Sequence, residues 1–216
     1  MNLFIDAAGH GPELVMLHGW GMHGGIFHRA RKALTSHYRT YCVDLPGHGA
    51  SAAVKRFDIA CIVECLAKKF AAPVHILGWS LGGAIAQYWA YRYPTKVKSL
   101  ILVASSPVFA ARPDWPHAPS ADDIVCMGRN LHSDFKNTIE RFLALQMLGT
   151  PNAREMLRTL GPTFFSQGCP QGLLPALEEL LVLDQRPIID EITCPVGIFH
   201  GKRDAITPIG AGHWLM

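Results

Sequence analysis

The chain has 216 residues, of which 49% are hydrophobic and 17% charged, and its formal net charge is +3. This composition predicts one globular domain with a sizeable core, and so small a net charge argues against a nucleic-acid-binding protein. No apolar run approaches the ~18 residues that a membrane helix needs, and the N-terminus carries no basic and apolar leader, so we expect neither a membrane partner nor a signal peptide.

The six cysteines are scattered through apolar contexts. Cys61 and Cys65 lie one helical turn apart, but no further His or Cys pair completes a metal-binding set. We therefore expect reduced cysteines, a cytoplasmic location, and neither a metal ion nor an organic cofactor.

Predicted strands and helices alternate in the first half of the chain, as they do in a parallel sheet with crossover helices. The strands are short apolar runs, and the helices carry apolar residues at helical spacing and end close to Pro73 and Pro94. The predicted strands are 13–17, 40–43, 74–77, 97–104 and 195–199, and the predicted helices are 59–70 and 81–93.

Residues 78–82 read GWSLG, between the predicted strand 74–77 and the predicted helix 81–93. A strand that ends in G-x-S-x-G and passes straight into a helix is the nucleophile elbow of an α/β hydrolase. Glycine is needed on both sides of the serine because side chains there would collide in so sharp a turn. The pattern therefore predicts Ser80 as a nucleophile at the N-terminus of a helix.

The alternation stops between the last two predicted strands. Residues 106–190 begin with a loop rich in Pro and Trp and continue with helical stretches near 121–132, 134–148, 152–160 and 173–183. An all-helical insertion at this point of a hydrolase fold is a cap over the active site. We therefore predict an α/β core formed by 1–105 and 191–216, with a mostly parallel sheet flanked by helices, and a helical cap formed by 106–190.

A serine hydroxyl needs a histidine to take its proton and an acid to orient that histidine. Asp204 follows the predicted strand 195–199, where this fold presents the acid. The oxyanion needs backbone donors, which we predict to be the N–H of Leu81 and that of Trp20 in the HGWG loop at 18–21, with the Trp20 ring as a pocket wall. His18 is an alternative base, although a structural role is favoured, and the turn at 44–51 is predicted to brace these loops.

The triad histidine is the open point of the pattern. Only His213 follows Asp204, and the printed sequence leaves no room for both a further helix and a further strand. Either those elements are deleted and His213 lies on a catalytic loop, or His213 lies on the helix after the acid and the sequence is cut short. We expect the second, and with it an exposed sheet edge, poor solubility and little activity.

Over essentially its whole length the chain resembles the α/β-hydrolase superfamily. More narrowly, it resembles the esterases that cleave the methyl ester of pimeloyl-acyl-carrier protein in biotin synthesis. The widespread motifs are LHGWG at 17–21, VDLPG at 43–47 and GWSLGG at 78–83. The more specific ones are VASSP at 103–107, the Trp-Pro pair at 115–116 and ERFLALQ at 140–146.

The resemblance implies a serine carboxylesterase that needs no cofactor, with Ser80 as nucleophile and Asp204 as triad acid. It implies that Trp20 and Leu81 hold the oxyanion and the substrate. The residues that it places along the acyl tunnel are Phe142, Leu143, Ala144, Leu145 and Gln146. The implied partner is acyl-carrier protein, docked through Arg141, Arg154 and Arg158.

The charge pattern of the cap fits an acidic carrier protein. Segment 136–158 has four basic and two acidic residues, a local balance of +2, although a solvated helix surface is an equally simple explanation. Two other functions stay open: a broad short-chain carboxylesterase, and a hydrolase-fold binding protein that has lost its triad histidine. We expect the chain to be a monomer.

Overall fold

The computed structural model describes residues 1–148, 151–155, 158 and 170–216. Its centre is a six-stranded sheet in the order β1-β3-β2-β4-β5-β6, parallel throughout except that β1 runs antiparallel to β3. The strands are β1 (Ile5–Ala8), β2 (Glu13–Leu17), β3 (Arg39–Val43), β4 (Val74–Trp79), β5 (Val97–Val103) and β6 (Val196–Phe199). The prediction of an α/β fold with a mostly parallel sheet is confirmed.

The helices lie in the order that the sequence predicts, with additions. They are α1 (His28–Leu34), α2 (Ile59–Lys69), α3 (Leu81–Arg92), α4 (Ala121–Ser133), α5 (Phe135–Gln146), α6 (Pro170–Val182), α7 (Arg186–Ile189) and α8 (Ile209–Trp214). Within the described residues, none of them is long and apolar enough to cross a membrane. The helix predicted over 152–160 falls largely outside the described residues.

Burial explains why the core elements form. Four of the five residues of β2 are buried, and α3 buries most of its length because it lies between the sheet and other elements. Helix α2 is amphipathic, and its N-terminus is capped by the Asp58 carboxylate, which accepts a hydrogen bond from the Cys61 N–H. Strand β6 is the outermost described strand on its side of the sheet, and Phe199 is 62% exposed.

Sequence reasoning missed β1, α1 and α7. Strand β1 has four residues, none of them buried, and α1 and α7 also bury none of their residues. Elements without a buried face lack the hydrophobic periodicity on which the prediction depends. The predicted start of α6 at 173 is also wrong, because Pro170 occupies the first helical position, where a missing N–H is tolerated.

The described helices of 106–190 pack on one another, with α4 against both α5 and α6. The two ends of this segment meet in an ion-pair network. Arg112 binds Asp184, and Arg186 binds both Asp184 and Asp114. The hydrogen bond from Arg186 lowers the pKa of the Asp184 carboxyl. The network therefore joins the loop that leaves β5 to the loop that returns toward β6.

A pair of glycines brings α6 against the core. A Cβ added at Gly172 of α6 would lie 2.3 Å from the Cα of Gly47, and one added at Gly47 would lie 2.4 Å from the Cα of Gly172. Gly47 also has a φ of +74°, which side chains rarely adopt. The backbones touch here because neither residue has a side chain.

We expect Gly172→Ala to lower the free energy of unfolding by about 1–3 kcal/mol, measured by urea denaturation, because the added methyl group meets rigid backbone. Helix propensity alone would give the opposite sign, a gain of up to ~1 kcal/mol. Gly128→Ala on α4 is the matched control. Its added Cβ would meet only the side-chain ends of Leu174 and Leu177, at 3.3 and 3.5 Å. Equal losses in the two variants would contradict the role of the backbone contact.

Candidate active site

Ser80 occupies the turn between β4 and α3 in a conformation that non-glycine residues rarely adopt. Its φ is 53° and its ψ is −117°, and its N–H donates to the Val103 carbonyl at 3.0 Å. A Cβ added at Gly82 would lie 2.2 Å from the Leu17 carbonyl oxygen, so the turn requires glycine there. A strained backbone of this kind persists only where its surroundings fix it, and it is typical of functional sites.

Ser80 borders two cavities. The smaller one, about 270 Å³, also contacts Gly19, Trp79, Ala104 and Asp204. The larger one, about 450 Å³, extends under α4, α5 and α6 and has a mainly apolar wall. Trp20, Phe142 and Ile206 border both cavities, as Ser80 does, so the two spaces meet at Ser80.

The loop that follows β2 lies against Ser80: a Cβ added at Gly19 would lie 3.3 Å from the Ser80 Cβ. The Trp20 side chain is 3% exposed, and its indole N–H donates to the Leu173 carbonyl at 2.8 Å. Its ring meets the edge of Phe142 at 5.0 Å between centroids. Since the indole donor is occupied, only the backbone N–H of Trp20 is available to an oxyanion.

His18 does not contact Ser80 through a ring nitrogen. Its Nδ1 lies 2.8 Å from the Gly19 carbonyl oxygen, and its Nε2 accepts the Leu45 N–H at 3.0 Å. Burial, followed by the neighbouring His48 ring, holds the pKa of His18 well below 6.5. A neutral imidazole with both nitrogens engaged fits the structural role and not that of a general base.

Asp204 lies in the loop after β6 and borders the smaller cavity together with Ser80. Its Oδ1 accepts the Ile206 N–H at 2.9 Å and the Thr207 N–H at 2.8 Å. Two backbone donors fix the carboxylate toward the site, which is the arrangement expected of a group that orients a partner.

All eleven histidines of the sequence are among the described residues, and none of them borders either cavity. His213 lies exposed on α8, so it sits on a helix after the acid and not on a catalytic loop. His200 lies beside α8, where its Nε2 is 2.6 Å from the Thr207 carbonyl oxygen. Among the described residues, Ser80 and Asp204 thus border one cavity together, and no imidazole borders it.

Helix α5 presents one face to the cavities. Thr138, Arg141, Phe142 and Leu145 border the larger one, and Phe142 and Gln146 border the smaller one. This is the i, i+3, i+4, i+7 spacing of a single helix face.

Two of the residues predicted to line the acyl tunnel face elsewhere. Leu143 is 2% exposed and packs in the hydrophobic core, and Ala144 is exposed. Leu143 and Ala144 border neither cavity, because the prediction took a continuous run of sequence and only every third or fourth residue of a helix can reach one surface. Leu81 is fully buried and borders neither cavity, so only its backbone can serve the site.

Sequence reasoning also missed cavity residues on helices α4 and α6. Ile124 and Met127 of α4 and Leu177 and Leu180 of α6 border the larger cavity. Each pair has apolar residues three positions apart, so helical phase was the available signal. The helical phase alone does not show whether the apolar face of α4 or of α6 points toward Ser80.

The predicted docking arginines differ in their relation to the site. Arg141 is exposed and borders the larger cavity. Arg154 and Arg158 are exposed and border neither cavity, and the residues between them are only partly described. On α5, Lys136 pairs with Glu140 at 3.9 Å. Among the described residues, no group of three His, Cys, Asp or Glu side chains could hold a metal ion.

The fold and the site together define an α/β hydrolase. The family model described as alpha/beta hydrolase fold matches residues 12–216. Among solved structures, an esterase from Exiguobacterium antarcticum and a bromoperoxidase from Bacillus anthracis each superpose with a TM-score of 0.90. They are 24% and 19% identical, and in both cases the match covers 99% of this chain and 82% of the other. At this identity they show the fold alone.

Curated relatives are more specific. The pimeloyl-[acyl-carrier protein] methyl ester esterase of Chromobacterium violaceum is 54% identical over 215 residues, which cover 100% of this chain and 85% of the relative. The protein of the same name from Nitrosomonas europaea is 36% identical, with 99% and 86% covered. The chain belongs to the pimeloyl-[acyl-carrier protein] methyl ester esterase family of α/β hydrolases.

The buried imidazoles of His18 and His48 should make the free energy of unfolding depend on pH. Burial lowers the pKa of His48 to about 4, against 6.5 in the unfolded chain. Between these values the unfolded state binds more protons, so the folded state loses stability as the pH falls from 6.5 toward 4. The loss that His48 alone can cause is about 3 kcal/mol.

We expect His48→Asn to reduce this pH dependence, because asparagine can keep the hydrogen bond to the Pro46 carbonyl that His48 Nδ1 makes at 2.9 Å, but cannot take up a proton. The measurement is the free energy of unfolding in urea at several pH values between 7 and 4.5. His18 still titrates in the variant, so part of the dependence should remain. Identical slopes in the variant and the wild type would contradict the assignment to His48.

Proposed function

We propose that the chain is a serine carboxylesterase that hydrolyses the methyl ester of pimeloyl-acyl-carrier protein. The observation that carries the proposal is Ser80 in its strained turn, open to two cavities that meet there. Relatives that are 54% and 36% identical over nearly the whole chain bear the name of this activity. Ser80 and Asp204, which border the smaller cavity together, are two of the three side chains of a serine-hydrolase triad.

The reaction we propose has two steps. The Ser80 Oγ attacks the ester carbonyl carbon, the bond to the methoxy oxygen breaks, and methanol leaves with the proton that the Ser80 hydroxyl gives up. Water then attacks the acyl-serine, the bond to the Ser80 Oγ breaks, one proton of the water restores the Ser80 hydroxyl, and the carboxylate and the other proton are released. The N–H groups of Leu81 and Trp20 would stabilise the negative oxygen in both steps, and neither amide donates to an acceptor within the described residues.

The shape of the site favours a long acyl group with a small leaving group. The larger cavity, about 450 Å³ and mainly apolar, is suited to a methylene chain, whereas the smaller one holds the polar groups Asp204, Gln146 and Thr207. We infer that the acyl chain lies under α4, α5 and α6, and that residues 106–190 act as the cap. The acyl-lining side chains of α5 are then Phe142 and Leu145, with Gln146 on the other side.

The carrier protein would bind at the cap. Arg141 is exposed at the border of the larger cavity, and Arg154 and Arg158 are exposed in the same stretch of sequence. Acyl-carrier proteins are acidic, so exposed arginines provide a complementary charge. We propose these three as docking residues, with the chain acting as a cytoplasmic monomer that uses neither nucleic acid nor a membrane.

Two rival functions make different predictions for the same assays. A broad short-chain carboxylesterase would cleave free short esters as fast as the carrier-linked pimeloyl ester. A binding protein would not react with a fluorophosphonate at Ser80.

We expect Ser80→Ala to abolish labelling by a fluorophosphonate and to reduce ester hydrolysis to the uncatalysed rate, because the attacking oxygen is lost. Intact-protein mass spectrometry measures the labelling, and methanol release measures the hydrolysis. Ser36→Ala, at an exposed serine, is the control and should behave as wild type. Labelling that persists in Ser80→Ala would disprove the nucleophile assignment.

Charge reversal at Arg154 tests docking apart from chemistry, because Arg154 borders neither cavity. We expect Arg154→Glu to raise KM several-fold for the carrier-linked ester and to leave the hydrolysis of a small free methyl ester unchanged, since rim charges act on association. Lys98→Glu is the matched control, an exposed residue near the start of β5, at the sheet edge opposite Ser80. A similar rise in KM for Lys98→Glu would mean that overall charge and not a docking site is responsible.

A further inference from the structure

The VASSP motif at 103–107 has no role in the mechanism described so far. Its first serine, Ser105, follows β5 and is 2% exposed. It borders neither cavity, so it cannot touch a substrate there. Its hydroxyl nevertheless lies directly behind the nucleophile turn.

The Ser105 hydroxyl donates a hydrogen bond to the backbone carbonyl of Ser80 at 2.9 Å. The same hydroxyl accepts a hydrogen bond from the Nε2 of Gln87 at 3.3 Å. Gln87 lies on α3 and is fully buried. The three groups form a directed chain from the Gln87 amide through the Ser105 hydroxyl to the Ser80 carbonyl.

The Ser80 carbonyl belongs to the peptide unit whose nitrogen is that of Leu81. A peptide unit is planar and trans, so its C=O and its N–H point in opposite directions. The carbonyl is held on one side by Ser105 and by the N–H groups of Gly83 and Ala84, at 2.8 and 3.2 Å. Holding it there fixes the direction of the Leu81 N–H on the other side, which is the proposed oxyanion donor.

Helix α3 leaves room for this hydroxyl. A Cβ added at Gly83 would lie 2.2 Å from the Ser105 Oγ and 2.4 Å from its Cβ. Glycine at 83 therefore allows Ser105 to approach the turn. This close approach is an observation separate from the hydrogen bond, and both place the Ser105 side chain against the turn at Ser80.

We propose that Ser105 is a positioning residue for the reaction, which holds the Ser80–Leu81 peptide so that the Leu81 N–H faces the developing oxyanion. The proposal rests on the proposed function insofar as Ser80 is the nucleophile. The strain at Ser80, with its positive φ, needs surrounding contacts to persist, and Ser105 supplies the side-chain contact.

The test compares Ser105→Ala with Ser106→Ala. Ser106 is an equally buried neighbour, but within the described residues its hydroxyl bonds to Val108 alone, to its carbonyl oxygen at 2.5 Å and its N–H at 3.2 Å. For each variant we would measure the rate of fluorophosphonate labelling at Ser80, kcat and KM for a methyl ester, and the melting temperature. Both variants lose one buried hydroxyl, so their melting temperatures should fall by similar amounts.

Only Ser105→Ala should change the chemistry. We expect its labelling rate and kcat to fall about fivefold to tenfold, the range that one hydrogen bond corresponds to, with KM unchanged because the effect is on the transition state. Ser106→Ala should stay within about twofold of wild type by the same scale. Equal rates in the two alanine variants would overturn the proposal, because a purely structural serine would give that result.

Gln87→Met is a second variant that tests the positioning role of Ser105 if Ser105→Ala does not fold. It removes the donor that orients the Ser105 hydroxyl and keeps a side chain of similar length. We expect a smaller loss of labelling rate than in Ser105→Ala, and a folded Gln87→Met protein that labels at the wild-type rate would refute the chain of hydrogen bonds.

A wild-type protein that labels at Ser80 but leaves the carrier-linked ester intact would refute the proposed substrate and leave the result for Ser105 valid.

Discussion

The sharp turn at Ser80 is the constraint on which the rest of the site depends. It holds a non-glycine residue at a φ of 53° between a buried strand and a buried helix. The neighbouring positions are glycines because a Cβ there would collide with backbone atoms or with a hydroxyl group. The loops after β2, β5 and β6 then converge on the same point, since the carboxyl ends of parallel strands share one edge of the sheet.

Support for the site comes from groups that do not touch a substrate. His18 bonds the Gly19 carbonyl from behind, and Ser105 bonds the Ser80 carbonyl in the same manner. The two carbonyls belong to the peptide units that carry the N–H groups of Trp20 and Leu81. Each hydrogen bond to a carbonyl therefore fixes the direction of the N–H on the opposite side of the same peptide unit, which is a proposed oxyanion donor. Buried side-chain donors with fixed partners are a rigid way to preorganise a polar site.

The local parts of this site could be predicted from the sequence, and the parts that depend on relative orientation could not. The turn at Ser80 and the position of Asp204 follow from short patterns whose geometry is built into the chain. Leu143 and Ala144 were misplaced because the phase of α5 relative to Ser80 is a tertiary property. The contact between Gly47 and Gly172 joins residues far apart in sequence, and no local signal marks it.

Trp20 links the loop after β2 to helices α5 and α6. Its indole N–H is buried and bonds to the carbonyl of Leu173 on α6, and its ring packs on Phe142 of α5. If those helices moved away from Trp20, the indole N–H would lose its acceptor. The unpaired donor would cost about 1–3 kcal/mol if water did not replace the carbonyl. An acyl group too bulky for the larger cavity would therefore disturb the loop that carries the Trp20 amide, so selection among acyl groups would act on turnover as well as on binding.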